Sequence, residues 1–195
     1  MDEAIEQFRQ SLRISHNTAK VHNDLGVALE GRGKLEEATQ HYEEAIRIRP
    51  NSTVRNNLGI ALAKQGRVEE AERNFRQALR LSPNGSEIHF NLGNALVRQG
   101  QLGEAVEHFE EAVRLKPDFV AAHHDLGRLM AAQGQLDKAI DHFREVLRIQ
   151  PEFAEAHESL GRALAQQGKR DQAIQHYQEA QRITKSRRAV VVPNQ

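Results

Sequence analysis

Two columns of glycine run through the chain in a single register, and they leave little choice of fold. Gly26, Gly59, Gly93, Gly127 and Gly161 lie 33, 34, 34 and 34 residues apart, and Gly33, Gly66, Gly100, Gly134 and Gly168 keep the same intervals. Ala4, Ala38, Ala71, Ala105, Ala139 and Ala173 follow them, as do the aromatics Phe8, Tyr42, Phe75, Phe109, Phe143 and Tyr177 and the prolines Pro50, Pro83, Pro117 and Pro151. Self-similarity at a fixed period of this length is the signature of a solenoid, in which each unit buries its apolar face only against its neighbours. The one short interval lies between Pro50 and Gly59, so a residue is missing from the turn between the first and second full repeats.

Within a period the chemistry reads as helix, turn, helix. Over 154–167, Ala156, Leu160, Ala163 and Leu164 recur at helical spacing, and Gly168 ends the run as a C-terminal glycine does. A second helix from about 171 sets Ala173, Tyr177, Ala180 and Ile183 on one face. In the other repeats a proline follows, whose missing N–H and fixed φ stop the helix. Gly161 sits inside the first helix, where glycine costs about 1 kcal/mol relative to alanine. Its recurrence in every repeat predicts a close approach of two helices, with Ala173 opposite and the ring of Tyr177 beside it.

These columns resemble the tetratricopeptide repeat. The Leu-Gly pairs Leu25-Gly26, Leu58-Gly59, Leu92-Gly93, Leu126-Gly127 and Leu160-Gly161 match its first helix. The small residue, the aromatic four positions later and the terminal proline match its second. The resemblance implies an all-α, right-handed superhelical solenoid of antiparallel helix pairs. Residues 1–18 form the second helix of a truncated repeat, with Ala4, Phe8, Leu12 and Ile14 on its core face. Full repeats follow at 19–51, 52–85, 86–119, 120–153 and 154–185, and 186–195 is a non-repeat tail unlike a polar capping helix. Two departures thin the aromatic core. His22, Arg55, His89, His123 and His157 replace the family's large first-helix residue, and Leu29, Leu62, Leu96, Met130 and Leu164 replace the aromatic after the glycine.

Composition excludes several function classes. Lys+Arg and Asp+Glu balance at 27 each, so no global field draws the chain to nucleic acid or to an anionic membrane. There is no cysteine for disulfides or thiolate metal sites, and no apolar run long enough to insert in a membrane. Met1–Glu6 is acidic and amphipathic rather than signal-like. A soluble, cytoplasmic protein is the expectation. No Gly-rich phosphate loop, Gly-x-Ser-x-Gly elbow, cysteine nucleophile or His-Glu-x-x-His motif is present, which predicts neither an enzyme nor a cofactor. Glu36-Glu37 and Glu69-Glu70 open second helices, where the macrodipole favours negative charge.

The resemblance also implies that one face of every first helix lines a concave groove. By register its columns are Asn23/Asp24/Val27, Asn56/Asn57/Ile60, Phe90/Asn91/Asn94, His124/Asp125/Arg128 and Glu158/Ser159/Arg162, with Lys64 and Arg98 one turn further on. An Asn side chain offers a donor and an acceptor, so it can pair with a peptide unit without reading sequence. Asn57 and Asn91 resemble members of the asparagine ladder in the repeats of O-GlcNAc transferase, though Asp24, Asp125 and Ser159 interrupt it. The two-carboxylate clamp of chaperone-binding repeats is not expected. Asn94 matches it, but Phe90 and Asp125 stand where a lysine and an asparagine are needed.

Arg98, Arg128 and Arg162 set against Asp24 suggest a polarised groove for a segment with an acidic end, although a chain with 28% charged residues would carry such charges anyway. Histidines form two columns, His22, His89, His123 and His157 in first helices and His41, His108, His142 and His176 in second helices. Members of one column fall in different layers, so packing residues are expected rather than a metal site. The expected function is a scaffold for a protein or peptide segment. The alternatives are a homo-oligomer stacking through the repeat ends and the targeting arm of a larger enzyme such as a glycosyltransferase.

Overall fold

At the end of each first helix the chain reverses through a glycine that no other residue replaces cheaply. Gly33 has φ 73° and Gly66 φ 82°, the left-handed region where a Cβ is strained. Gly33 N–H donates to the Glu30 carbonyl at 2.9 Å and Lys34 N–H to the Leu29 carbonyl at 3.0 Å. The pair of bonds satisfies two carbonyls that the helix end would otherwise orphan. The same turn recurs in every repeat.

These turns organise a computed structural model that describes residues 2–14 and 18–191, and the side chains of 3–13 and 18–187. The described residues are all-helical: α1 (Asp2–Ile14), α2 (Ala19–Glu30), α3 (Leu35–Ile48), α4 (Ser52–Lys64), α5 (Val68–Leu81), α6 (Ser86–Arg98), α7 (Leu102–Leu115), α8 (Val120–Ala132), α9 (Leu136–Ile149), α10 (Ala154–Gln166) and α11 (Arg170–Val191). The core position expected of the Ile14 side chain and the last four residues of the tail lie outside the described residues.

The chain divides into two compact units, 1–108 and 109–195. In the first, α2 pairs with α3 and α4 with α5, while α1 packs on α2, α3 on α4 and α5 on α6. In the second, α8 pairs with α9 and α10 with α11, and α9 packs on α10. In the pairs α2–α3, α4–α5, α8–α9 and α10–α11 the second-helix ring lies against the first-helix glycine. Tyr42, Phe75, Phe109 and Phe143 are at most 1% exposed. A Cβ on Gly59 would fall 2.5 Å from Cε1 of Phe75, closer than any real contact. The glycine column is therefore a slot for the ring.

The turn after Pro50 is one residue shorter than those after Pro83, Pro117 and Pro151. α6, α8 and α10 begin three residues after their proline, whereas α4 begins two after Pro50. Asn51 alone fills that short turn, and its Oδ1 accepts from Thr53 N at 2.8 Å and Val54 N at 3.2 Å. Lys185 stands where earlier repeats have proline, nothing stops the helix there, and α11 continues to Val191.

Candidate functional site

The candidate groove residues are carried by α2, α4, α6, α8 and α10, the first helix of each repeat. Their apolar faces are fixed by the Leu-Gly core, so the residues on either side of that pair come to the opposite, polar face. Asn23, Asp24, Asn56, Asn57, Phe90, Asn91, Asn94, His124, Asp125 and Ser159 are half-buried, and Lys64, Arg98, Arg128, Glu158 and Arg162 are exposed. Val27 is 49% exposed.

Neighbouring repeats are joined along this face by a diagonal set of hydrogen bonds. Asn57 Nδ2 donates to Asn23 Oδ1 at 3.1 Å, and Asn91 Nδ2 donates to Asn56 Oδ1 at 2.9 Å. The same diagonal in the second unit joins His124 Nε2 and Ser159 Oγ at 3.3 Å. Each bond links the residue two before the Leu-Gly pair's leucine, or its successor in register, to the residue just before that leucine in the next repeat. Asn57 and Asn91 are thus rungs that lock adjacent helices. His124 is also wedged between rings, 5.8 Å from Phe143 and 5.3 Å from Phe153, and burial holds its pKa below the usual histidine value. Asp125 is raised by burial, against the opposing pull of His124 and Arg128.

Among the described residues, stacked first helices form a notch in the first unit and one of similar form in the second. The first, about 260 Å³, is lined by Ile60, Ala63, Lys64, Phe75, Asn91, Asn94, Ala95 and Arg98. The second, about 300 Å³, is lined by Arg128, Ala131, Ala132, Phe143, Ser159, Arg162, Ala163 and Gln166. Position by position these are the same eight columns, displaced by two repeats. Alanines and a ring edge make the floor, and two cations stand at each rim. Neither lining contains a carboxylate.

The cations are not equally engaged. Lys64 Nζ donates to Glu30 Oε1 at 2.7 Å, and the other oxygen of Glu30 accepts from the Tyr42 hydroxyl at 2.9 Å. That contact and burial push the Tyr42 pKa well above its usual value, with burial the larger cause. Arg98 Nη1 donates to the Ala63 carbonyl at 2.7 Å, and Arg128 Nη1 approaches Asp125 Oδ1 at 3.4 Å. Among the described residues Arg98 and Arg162 have no carboxylate partner. Glu30 was not legible as a site residue in the columns singled out, yet it is the one acid in a column otherwise occupied by Ala63, Val97, Ala131 and Ala165.

The two histidine columns meet across each helix pair, which their separate periodicities do not reveal. The Nδ1 atoms of His22 and His41 are 3.0 Å apart, those of His89 and His108 2.9 Å, His123 and His142 3.0 Å, and His157 and His176 2.9 Å. His89, His123 and His157 also place Nε2 3.0 Å from the carbonyls of Pro83, Pro117 and Pro151. A carbonyl only accepts, so these Nε2 atoms carry the hydrogen and their Nδ1 atoms accept. His108, His142 and His176 must then donate from Nδ1, leaving Nε2 as the site for an added proton. Burial first, and the partner imidazole second, hold the pKa of His41, His108, His142 and His176 below the usual value. A metal bridging the two rings through Nδ1 would have to break the Nδ1–Nδ1 bond, and no three His, Cys, Asp or Glu side chains among the described residues are grouped to hold one. The second repeat lacks the pair: Arg55 bonds Gln77 instead, and Asn74 Nδ2 donates to the Glu70 carbonyl at 2.9 Å.

Comparison with known proteins agrees with this architecture. Family models described as tetratricopeptide repeat match residues 56–118 and 124–187, 96–141, and 1–51. No curated protein is similar enough to match. Among solved structures, a fragment of MamA from Desulfovibrio magneticus RS-1 is 25% identical, with TM-score 0.79 over 86% of this chain and 96% of that one. YrrB, described as a repeat protein with an unusual peptide-binding site, is 24% identical, with TM-score 0.76 over 92% and 93%. PilF of Pseudomonas aeruginosa is 24% identical, with TM-score 0.82 over 92% and 84%.

Proposed function

Because this chain belongs to the tetratricopeptide repeat family, we propose that it is a non-catalytic interaction scaffold whose first-helix face holds an extended or helical segment of a partner protein. The observation that carries this reading is the rung geometry. Asn57 and Asn91 are fixed in place by bonds that each spend one N–H, whereas a primary amide offers two N–H groups and two acceptor positions. Pre-positioned amides with capacity in hand suit the repeating donor and acceptor of an extended backbone, and they lose little entropy on binding. YrrB, on the same fold, carries a peptide-binding site.

Replacing Asn57, Asn91 and Asn94 together by alanine tests the reading. Net hydrogen-bond contributions of roughly 0.5–1.5 kcal/mol each, over three residues, predict a loss of affinity on the order of tenfold to a thousandfold for a bound segment. The oligomeric state by sedimentation stays unchanged. Undiminished binding would move the site elsewhere.

One observation favours a second reading, self-association through the face of α11. Tyr177 is 36% and Ile174 51% exposed, whereas the ring counterparts Tyr42, Phe75 and Phe143 are buried. Association through that face makes the scattering mass rise with concentration. A monomer at high concentration removes this reading.

A further inference from the structure

Glu30 shows how this stack seats a carboxylate. It projects from the last turn of α2 and accepts from Lys64 on the next first helix and from the Tyr42 hydroxyl behind it. One repeat further along, the cation has an equivalent but the acid and the hydroxyl do not. Arg98 stands in the column of Lys64, Phe75 in that of Tyr42, and Ala63 in that of Glu30. With no side-chain acceptor there, Arg98 turns to the backbone carbonyl of Ala63. Glutamate and the tyrosine hydroxyl are lost together, which leaves an apolar floor of Ala63, Phe75 and Ala95 under two cations.

We propose that the notch between α4 and α6 receives an aspartate or glutamate side chain of the bound partner segment, in the place that Glu30 fills one repeat earlier. The proposal rests on the groove reading above and names the chemistry of its ligand. Charge decides between this and an apolar occupant. The lining has Lys64, Arg98 and two amides, Asn91 and Asn94, but no acid, and among the described residues the one carboxylate bonded to either cation is Glu30 on Lys64. A guanidinium held by one N–H to a carbonyl keeps the rest of its fork for an incoming carboxylate, whose charge-assisted bonds exceed those of a neutral group. The register-equivalent notch of the second unit reaches the same balance with Arg128 and Arg162, of which Arg162 has no anionic partner among the described residues.

The test uses the full chain and random dodecapeptides displayed on phage, followed by synthesis of selected peptides with both ends blocked. We expect an acidic residue whose replacement by the corresponding amide weakens binding about tenfold. Ala63→Glu, which supplies an internal carboxylate to Arg98, and Arg98→Gln each weaken the parent peptide by about the same factor. Neither changes affinity for the amide-substituted peptide. Glu30→Ala, which frees Lys64, leaves binding intact or strengthens it. Ala63→Glu copies an arrangement the fold already tolerates, so it tests the notch without depending on a damaged chain. Peptides that lose affinity on Asn57→Ala and Asn91→Ala but ignore Ala63→Glu overturn this proposal and leave the groove reading standing. Peptides indifferent to all of these changes overturn both.

Discussion

A buried ring and a glycine make a contact that can be tested by adding one carbon. At Gly59 a Cβ meets Cε1 of Phe75 at 2.5 Å, and Phe75 is 1% exposed, so the ring has nowhere to go. Overpacking costs about 1–3 kcal/mol, offset by about 1 kcal/mol of helix propensity. Gly59→Ala is therefore expected to destabilise by up to about 2 kcal/mol. At Gly161 the same carbon meets Tyr177 at 2.8 Å, but that ring is 36% exposed and can swing outward. The carbon also lies 3.2 Å from the Ala173 carbonyl oxygen, so Gly161→Ala should cost less than Gly59→Ala in denaturant melts without being free. Equal losses at both positions would show that ring mobility is irrelevant. The histidine pairs give a pH dependence of definite sign. Unfolded imidazoles titrate near 6.5, and those of His41, His108, His142 and His176 are held lower in the fold, by burial first and the partner histidine second. Below pH 6.5 the unfolded chain takes up protons that the folded chain refuses. The stability is complete above that pH and is lost as pH falls toward the folded values. The melting temperature at pH 5.5 is expected below that at 7.5; no difference would contradict the account.

Elements are held by their ends as much as by their faces. Asn51 is both the shortened turn and the cap of α4, with bonds to two backbone N–H groups. Asn51→Ala should cost about 1 kcal/mol, seen as a shift in denaturant midpoint without a change in slope. Much of this level was legible in the sequence. The glycine, alanine, aromatic and proline columns each report a contact or turn that recurs, so the helix pairs, their boundaries and the short turn at Pro50 follow from spacing alone. What spacing hides is which polar columns face one another. His89 meets His108, and Asn91 meets Asn56, because of how two helices are rotated against one another. Glu30 is hidden differently, since it appears once and carries no periodic signal. The run of α11 past Lys185 was obscured because a tail without repeat columns still has helix-compatible residues once the proline is gone.

At the scale of the whole molecule the repeats divide their labour. Second helices supply the rings and the imidazole partners, and first helices present the amides, the cations and the notches. Stability in such arrays is close to a sum over repeats and their interfaces, so exposed first-helix residues outside the Asn23–Asn57 and Asn56–Asn91 rungs can vary without loss of the stack. That separation is what lets a repeat scaffold carry a binding face. The most direct measurement is the NMR response of side-chain amides when a selected blocked-end peptide is added to the full chain. The account predicts that the Asn57, Asn91 and Asn94 amides and the Arg98 guanidinium shift together and saturably, while amides on second helices, such as that of Asn74, stay in place. Shifts confined to second helices or to α11, with the Asn57 and Asn91 amides unmoved at saturation, would contradict it.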